Sequence, residues 1–158
     1  MHVEITDMTL CDAEQKAYVH WQAWRETYTE LMGETFIEER TLNHCIRIAC
    51  QHPQRTIVAK VDGKVIGFAN YGPTSEMNIG ELFALYVLRE YHHQGIGYRL
   101  LRAALSKLNH CEQVRLWVLD DNEKATHFYS KCGFQFSGQT KQVNLGNASL
   151  EREMILNL

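Results

Sequence analysis

Apolar positions along the chain follow two periods. His2 to Thr6 alternates like a short strand. From Leu10 to Leu31, Tyr18, Trp21, Trp24, Arg25 and Tyr28 recur at three- and four-residue spacing, which predicts a helix broken at Gly33. Thr35 to Cys50 reads as a second helix. Thr56–Val61 and Lys64–Tyr71 are strand-like runs joined by Asp62-Gly63, a two-residue hairpin signal. Gly72-Pro73 turns the chain ahead of a strand over Ile79–Leu88. A helix follows to about Leu108, with Leu100, Leu101, Ala104 and Leu105 on one side, then a strand over Val114–Leu119 and a helix over Asn122–Cys132. Two closing strands, about Phe134–Val143 and Ser149–Leu156, flank Leu145-Gly146-Asn147. No repeat or linker interrupts the pattern, so residues 1–158 are expected to form a single domain.

This order predicts an α+β fold: a mixed, mostly antiparallel sheet of six to seven strands with helices on both faces. At its centre the strand–helix–strand unit from Leu82 to Leu119 forms a parallel crossover. Net charge is −3, so no basic footprint points to nucleic acid. No apolar run reaches membrane-spanning length and the first residues lack a signal peptide's pattern, so a cytoplasmic protein without membrane contact is expected. The five cysteines form no C-x-x-C pair; free buried thiols are expected, and no metal.

The strand ending at Leu88 runs through Arg89-Glu90-Tyr91 into His92-His93-Gln94-Gly95-Ile96-Gly97-Tyr98 and then a helix. Such a turn gathers unpaired N–H groups and the positive end of a helix dipole, which suits phosphate. A dinucleotide fingerprint needs a third glycine where Leu100 stands, and no triphosphate-loop motif occurs. What remains is a loop whose amides from about Gln94 to Tyr98 wrap a pyrophosphate, with Gly95 and Gly97 keeping Cβ atoms out of the way, or a plain tight turn. Downstream, Arg115-Leu116-Trp117-Val118-Leu119 leads into Asp120-Asp121-Asn122 and the helix carrying Ala125, Phe128 and Tyr129. Asp120 with Glu123 has capping-box spacing, and Asn122 is an equally good N-cap.

H-H-Q-G-I-G before a helix, with N-x-x-A-x-x-F-Y-x-x-x-G-F downstream, resembles the GNAT family of N-acetyltransferases. Trp24-Arg25-Glu26-Thr27-Tyr28 and Glu81-Leu82-Phe83-Ala84-Leu85-Tyr86-Val87 look most like its bacterial spermidine/spermine subgroup. The resemblance implies acetyl-CoA as cosubstrate and a small-molecule amine as acceptor. It implies cofactor contacts from Leu85, Tyr86 and Val87, from His92, His93, Gln94, Gly95, Ile96, Gly97 and Tyr98, and from Asn122 and Phe128. It further implies that the strands around Leu85–Val87 and Trp117–Leu119 splay to admit the pantetheine arm. The family loop usually opens with Gln or Arg where this chain has His92, and often has Gly at His93.

Acetyl transfer must first free an amine lone pair, at a cost of roughly 4.6 kcal/mol at pH 7 for a pKa near 10.4. Glu81 is the base candidate, by resemblance to a water-relaying glutamate, provided burial raises its pKa; otherwise it is a solvated strand-end carboxylate. Tyr129 is expected to protonate the leaving thiolate, or it packs the helix alongside Phe128. His127 is a rival base or a surface histidine. Arg89, Arg99 and Arg102 are candidates for the adenosine phosphates. Trp24, Tyr28 and Tyr71 are candidates to wall the amine pocket through cation–π attraction, or they form a core stripe. Glu26, Glu30, Glu34, Glu38 and Glu39 make the helix–turn region acidic, which favours a polyamine or is a solvated face. Other acceptors stay open: a protein N-terminus, a lysine or an aminoglycoside-like amine. So does a non-catalytic CoA-binding module. The alternating C-terminal strand is able to pair across a homodimer.

Overall fold

Asp62 and Gly63 both take positive φ, 50° and 78°, the backbone that a type I′ turn demands. The hairpin they close starts the sheet. The computed structural model describes residues 1–32 and 34–158; Gly33, the expected break after the first helix, lies outside the described residues. The strands are β1 Val3–Asp7, β2 Thr56–Val61, β3 Lys64–Pro73, β4 Ile79–Val87, β5 Gln113–Leu119, β6 Gln135–Asn144 and β7 Ala148–Asn157. The helices are α1 Ala13–Tyr28, α2 Glu34–Glu39, α3 Leu42–Gln51, α4 Ile96–Lys107 and α5 Glu123–Lys131. Among the described residues they build one seven-stranded sheet in the order β1-β2-β3-β4-β5-β7-β6. Among the described residues only β4 and β5 pair in parallel.

Helices cover both faces. Leu100, Leu101 and Ala104 of α4 and Tyr129 of α5 pack on Ile57, Ile66, Leu82, Val114 and Leu116. On the other face Ala17 and Val19 of α1, with Cys45 and Ala49 of α3, pack on Val58, Val65 and Phe68. A smaller cluster joins Trp24, Met32 and Ile37 to Leu119, and Val143 and Leu145 at the end of β6 lean on it.

Several boundaries differ from the sequence reading. The helix expected over Thr35–Cys50 is two, because Thr41 is extended (φ −87°, ψ 157°) and its Oγ1 accepts the His44 N–H at 3.1 Å, starting a new helix. Gly72 and Pro73 do not turn the chain: they pair with Glu81 and Gly80, and the turn falls at residues 74–78. The C-terminal strand is not the edge strand considered for dimer pairing. β7 is flanked by β5 and β6, and the edge falls to β6, whose register slips between Phe136 and Thr140. Among the described residues no helix is long and apolar enough to cross a membrane.

One departure from regular pairing creates the site. β4 and β5 pair at Ile79–Gln113, Gly80–Val114 and Glu81–Arg115, and no further. Beyond that point β4 stays bonded to β3 through Val87, and β5 to β7 through Leu119. The two central strands therefore part, as the resemblance implied. Phe83 is an extra residue in β4, since Asn70 faces Ala84 while Tyr71 faces Leu82. This bulge bends the strand just where the gap opens.

Candidate active site

The glycine loop lies at the end of parted strand β4. Gly95 caps α4 at φ 76°, a conformation that disfavours any residue with a Cβ. The first helical bond runs from the Arg99 N–H to Gly95 O at 3.1 Å. The amides of residues 94 to 98 therefore have no backbone acceptor among the described residues, and they crowd the positive end of a 12-residue helix. Gly97 needs no special φ, and a Cβ there would meet Phe128 at 3.5 Å and Leu85 at 3.8 Å, ordinary contacts. The protein itself has room for alanine at 97; only a group lying against that amide would object.

His92, one of the expected cofactor contacts, is engaged within the protein. Its N–H bonds Arg89 O at 3.0 Å, and its Nε2 donates to Val87 O at 2.8 Å. Both donors are spent holding the loop onto the strand. His93 sits at φ 60°, which explains why glycine suits that position, and strain there costs roughly 1–2 kcal/mol. His93→Gly should raise stability by about 1 kcal/mol in a urea titration; a loss would show that the edge-on contact of its ring with His92 outweighs the strain. Arg89 and Arg99 are likewise engaged. Arg89 Nη2 donates to Glu26 O and its N–H to Glu26 Oε2, while Arg99 Nη2 donates to Val3 O. They tie elements together.

The outer edge of β4 is the second part of the site. Leu88 N–H bonds Ile66 O on β3, so Val87 O, on the other side of that peptide, points toward the gap. Backbone groups of alternate residues leave a strand on the same side, so Leu85 shares this edge and has no β5 partner there. Asn122 N-caps α5, its Oδ1 accepting the Ala125 N–H at 3.2 Å, and its Nδ2 remains available. Asp120 does not cap; it pairs with Arg152 at 3.6 Å.

Tyr129 and Phe128 stand on α5. The Tyr129 ring is buried, edge-on to Phe128 and Phe134, and burial pushes its phenol well above the usual tyrosine range. It keeps its proton at any working pH. On the α1 side of the sheet, Tyr86 donates to Tyr28 Oη at 3.3 Å. Burial raises both of their phenols as well.

Glu81 forms the last rung before the strands part, but it does not have the dry, unpaired setting expected of it. Arg115 Nε donates to its Oε1 at 2.8 Å, and the same guanidinium reaches Glu76 at 3.5 Å and Glu153 at 3.9 Å. Three carboxylates thus share one cation. Parallel register across the sheet makes this grouping; nothing in the spacing of residues 76, 81, 115 and 153 announces it. Trp117, also unforeseen, carries the Lys141 ammonium 4.2 Å above its ring, with Glu151 3.4 Å from the same ammonium.

Of the expected pocket walls, Tyr28 faces this region. Trp24 is only 4% exposed, edge-on behind Tyr28 and under Arg40, so it backs the wall. Tyr71 packs with the α4-side core, across the sheet, because its partner Leu82 points that way. Glu26 is held by Gln22 and Arg89, while Glu30, Glu34, Glu38 and Glu39 are exposed and solvated. His127 is exposed. The cysteines are free, though Cys11 and Cys50 are exposed where buried thiols were expected.

Comparison with known proteins adds to this geometry. The model of the acetyltransferase (GNAT) family matches residues 17–134. The spermidine N(1)-acetyltransferase of Thermoplasma acidophilum is 30% identical over 146 residues, covering 85% of this chain and 89% of that one. The spermine/spermidine N(1)-acetyltransferase of Bacillus subtilis is 27% identical over 97 residues, 56% of this chain and 64% of that one. Among solved structures, the PaiA N-acetyltransferase of Thermoplasma acidophilum in complex with coenzyme A superposes with a TM-score of 0.78 at 24% identity, covering 97% and 98% of the two chains.

Proposed function

This chain belongs to the GNAT acetyltransferase family, and from that premise we propose that it transfers the acetyl group of acetyl-CoA directly to a primary amine, a polyamine in the first instance. The observation that carries the reading is the parting of β4 from β5 beside a helix mouth with free amides. A chain of amide groups ending in a diphosphate fits both features at once. In this reading the amides of residues 94 to 98 hold the diphosphate. The outward backbone of Leu85 and the Nδ2 of Asn122 hold the pantetheine amides.

The step forms an N–C bond to the acetyl carbon and breaks the C–S bond. The amine gives up a proton, and the sulfur gains one. Tyr129 donates to the sulfur; burial that raises its pKa keeps the phenol protonated until the thiolate forms. Glu81, its Oε1 held by Arg115, orients through Oε2 the water that carries the amine proton away. No cysteine nucleophile is required. Cys132 is partly buried, and burial pushes its thiol up, away from the reactive thiolate.

The acceptor follows from charge. Glu76, Glu81 and Glu153 outnumber the single guanidinium of Arg115, and Tyr28 offers an aromatic face for an ammonium. Relatives whose names specify spermidine and spermine point the same way. Thiol release should be followed with spermidine, spermine, lysine, an N-terminal peptide and kanamycin. Spermidine and spermine should turn over fastest. Turnover confined to another amine overturns the polyamine assignment, and coenzyme A binding without thiol release from any amine makes the chain a binding module.

A further inference from the structure

Tyr86 stands on β4 where β5 has left it, and its ring is held on three sides. Phe68 lies 5.7 Å away and tilted, His20 stacks at 6.0 Å, and Tyr28 meets it edge-on at 6.3 Å. That packing leaves the hydroxyl little choice of direction, and it donates to Tyr28 Oη at 3.3 Å. The distance is long for two phenols, as catalytic contacts often are before substrate tightens them. A phenol oxygen has one proton and two lone pairs. Tyr28 spends one lone pair on Tyr86, which turns its own proton away and leaves a single acceptor position.

Tyr28 and Tyr86 pack on one cluster with Leu119 at the end of β5, so the pair lies at the gap between the parted strands. The remaining lone pair of Tyr28 is thus placed beside the opening in which the thioester is expected. An attacking neutral amine must aim its lone pair at the thioester carbon, so its N–H groups need acceptors placed to the side. We infer that Tyr86 is a positioning residue for acetyl transfer: through its hydrogen bond it fixes Tyr28 Oη to accept one N–H of the incoming amine and so orient the attack. The inference rests on the transfer to a primary amine proposed above, though not on which amine.

The test is a thermodynamic cycle over wild type, Tyr86→Phe, Tyr28→Phe and the double variant. Thiol release is followed at saturating acetyl-CoA with spermidine, and coenzyme A affinity is read by calorimetry. Tyr86→Phe should lower kcat by roughly three- to tenfold, the worth of one hydrogen bond, with coenzyme A affinity unchanged. Added to Tyr28→Phe it should cost nothing further, because the bond's other end is already gone. A wild-type kcat in Tyr86→Phe, or the same loss repeated in the Tyr28→Phe background, overturns the inference. Should Tyr86→Phe fold poorly, Tyr28→Phe reads the same bond from its other end, and an undiminished kcat there overturns it equally. If wild type turns over lysine but not spermidine, only the polyamine assignment falls and the cycle is run with lysine. Thiol release with no amine overturns both.

Discussion

Gly97→Val should raise the dissociation constant for acetyl-CoA by at least about a hundredfold while the protein still folds. Hydrogen bonds to a charged group contribute roughly 1.5–3 kcal/mol each, and a side chain at 97 would hold a diphosphate off several amides at once. The fold has less reason to object. Gly97 lies in a helix without a positive φ, and its Cβ would touch Phe128 and Leu85 at ordinary distances. Valine regains part of the roughly 1 kcal/mol that glycine loses to alanine in a helix, against some crowding on the Phe128 ring. Calorimetric titration and a thermal melt check both halves, and Gly97→Ala is the milder variant if valine proves too bulky. Unchanged affinity would put the phosphate site elsewhere. Gly95→Ala makes the contrasting control: a Cβ there meets nothing, yet φ 76° makes it costly, so about 1 kcal/mol of stability should go.

Tyr129→Phe should lower kcat by about ten- to a thousandfold, the range for loss of a general acid or less, with acetyl-CoA affinity and melting temperature little changed. The ring packs edge-on between Phe128 and Phe134, contacts that phenylalanine keeps. Only the proton is lost. The enzyme's alkaline pH limb should not belong to this residue, because burial holds its phenol above the usual range. Stopped-flow thiol release across pH reads both. A variant with full kcat would reduce Tyr129 to a packing residue and leave the thiolate to depart unaided.

Much of the candidate site was legible because its geometry is local. Gly95, Gly97 and the amides between them belong to one turn, and Asn122, Phe128 and Tyr129 belong to one helix and its cap. Their mutual geometry follows from helix periodicity and left-handed glycine backbone. The hydrogen bond of His92 is equally local, its imidazole reaching the carbonyl of Val87 five residues earlier.

What belonged to the chain alone was the succession of strands and helices, the Asp62-Gly63 turn, and the glycine-opened helix, since each depends on residues within a few positions of one another. The tertiary structure decided everything that needs two strands to be compared. It sent Tyr86 to the α1 side while Leu82 of the same strand, with its partner Tyr71, stays on the α4 side, because a single extra residue at Phe83 reverses the alternation along β4. It set Arg115 against Glu81, and it ended their pairing at that rung. Side-chain facing in a sheet has a period of two, so one bulge or one change of register moves every later residue to the other face, and no count along the chain records it.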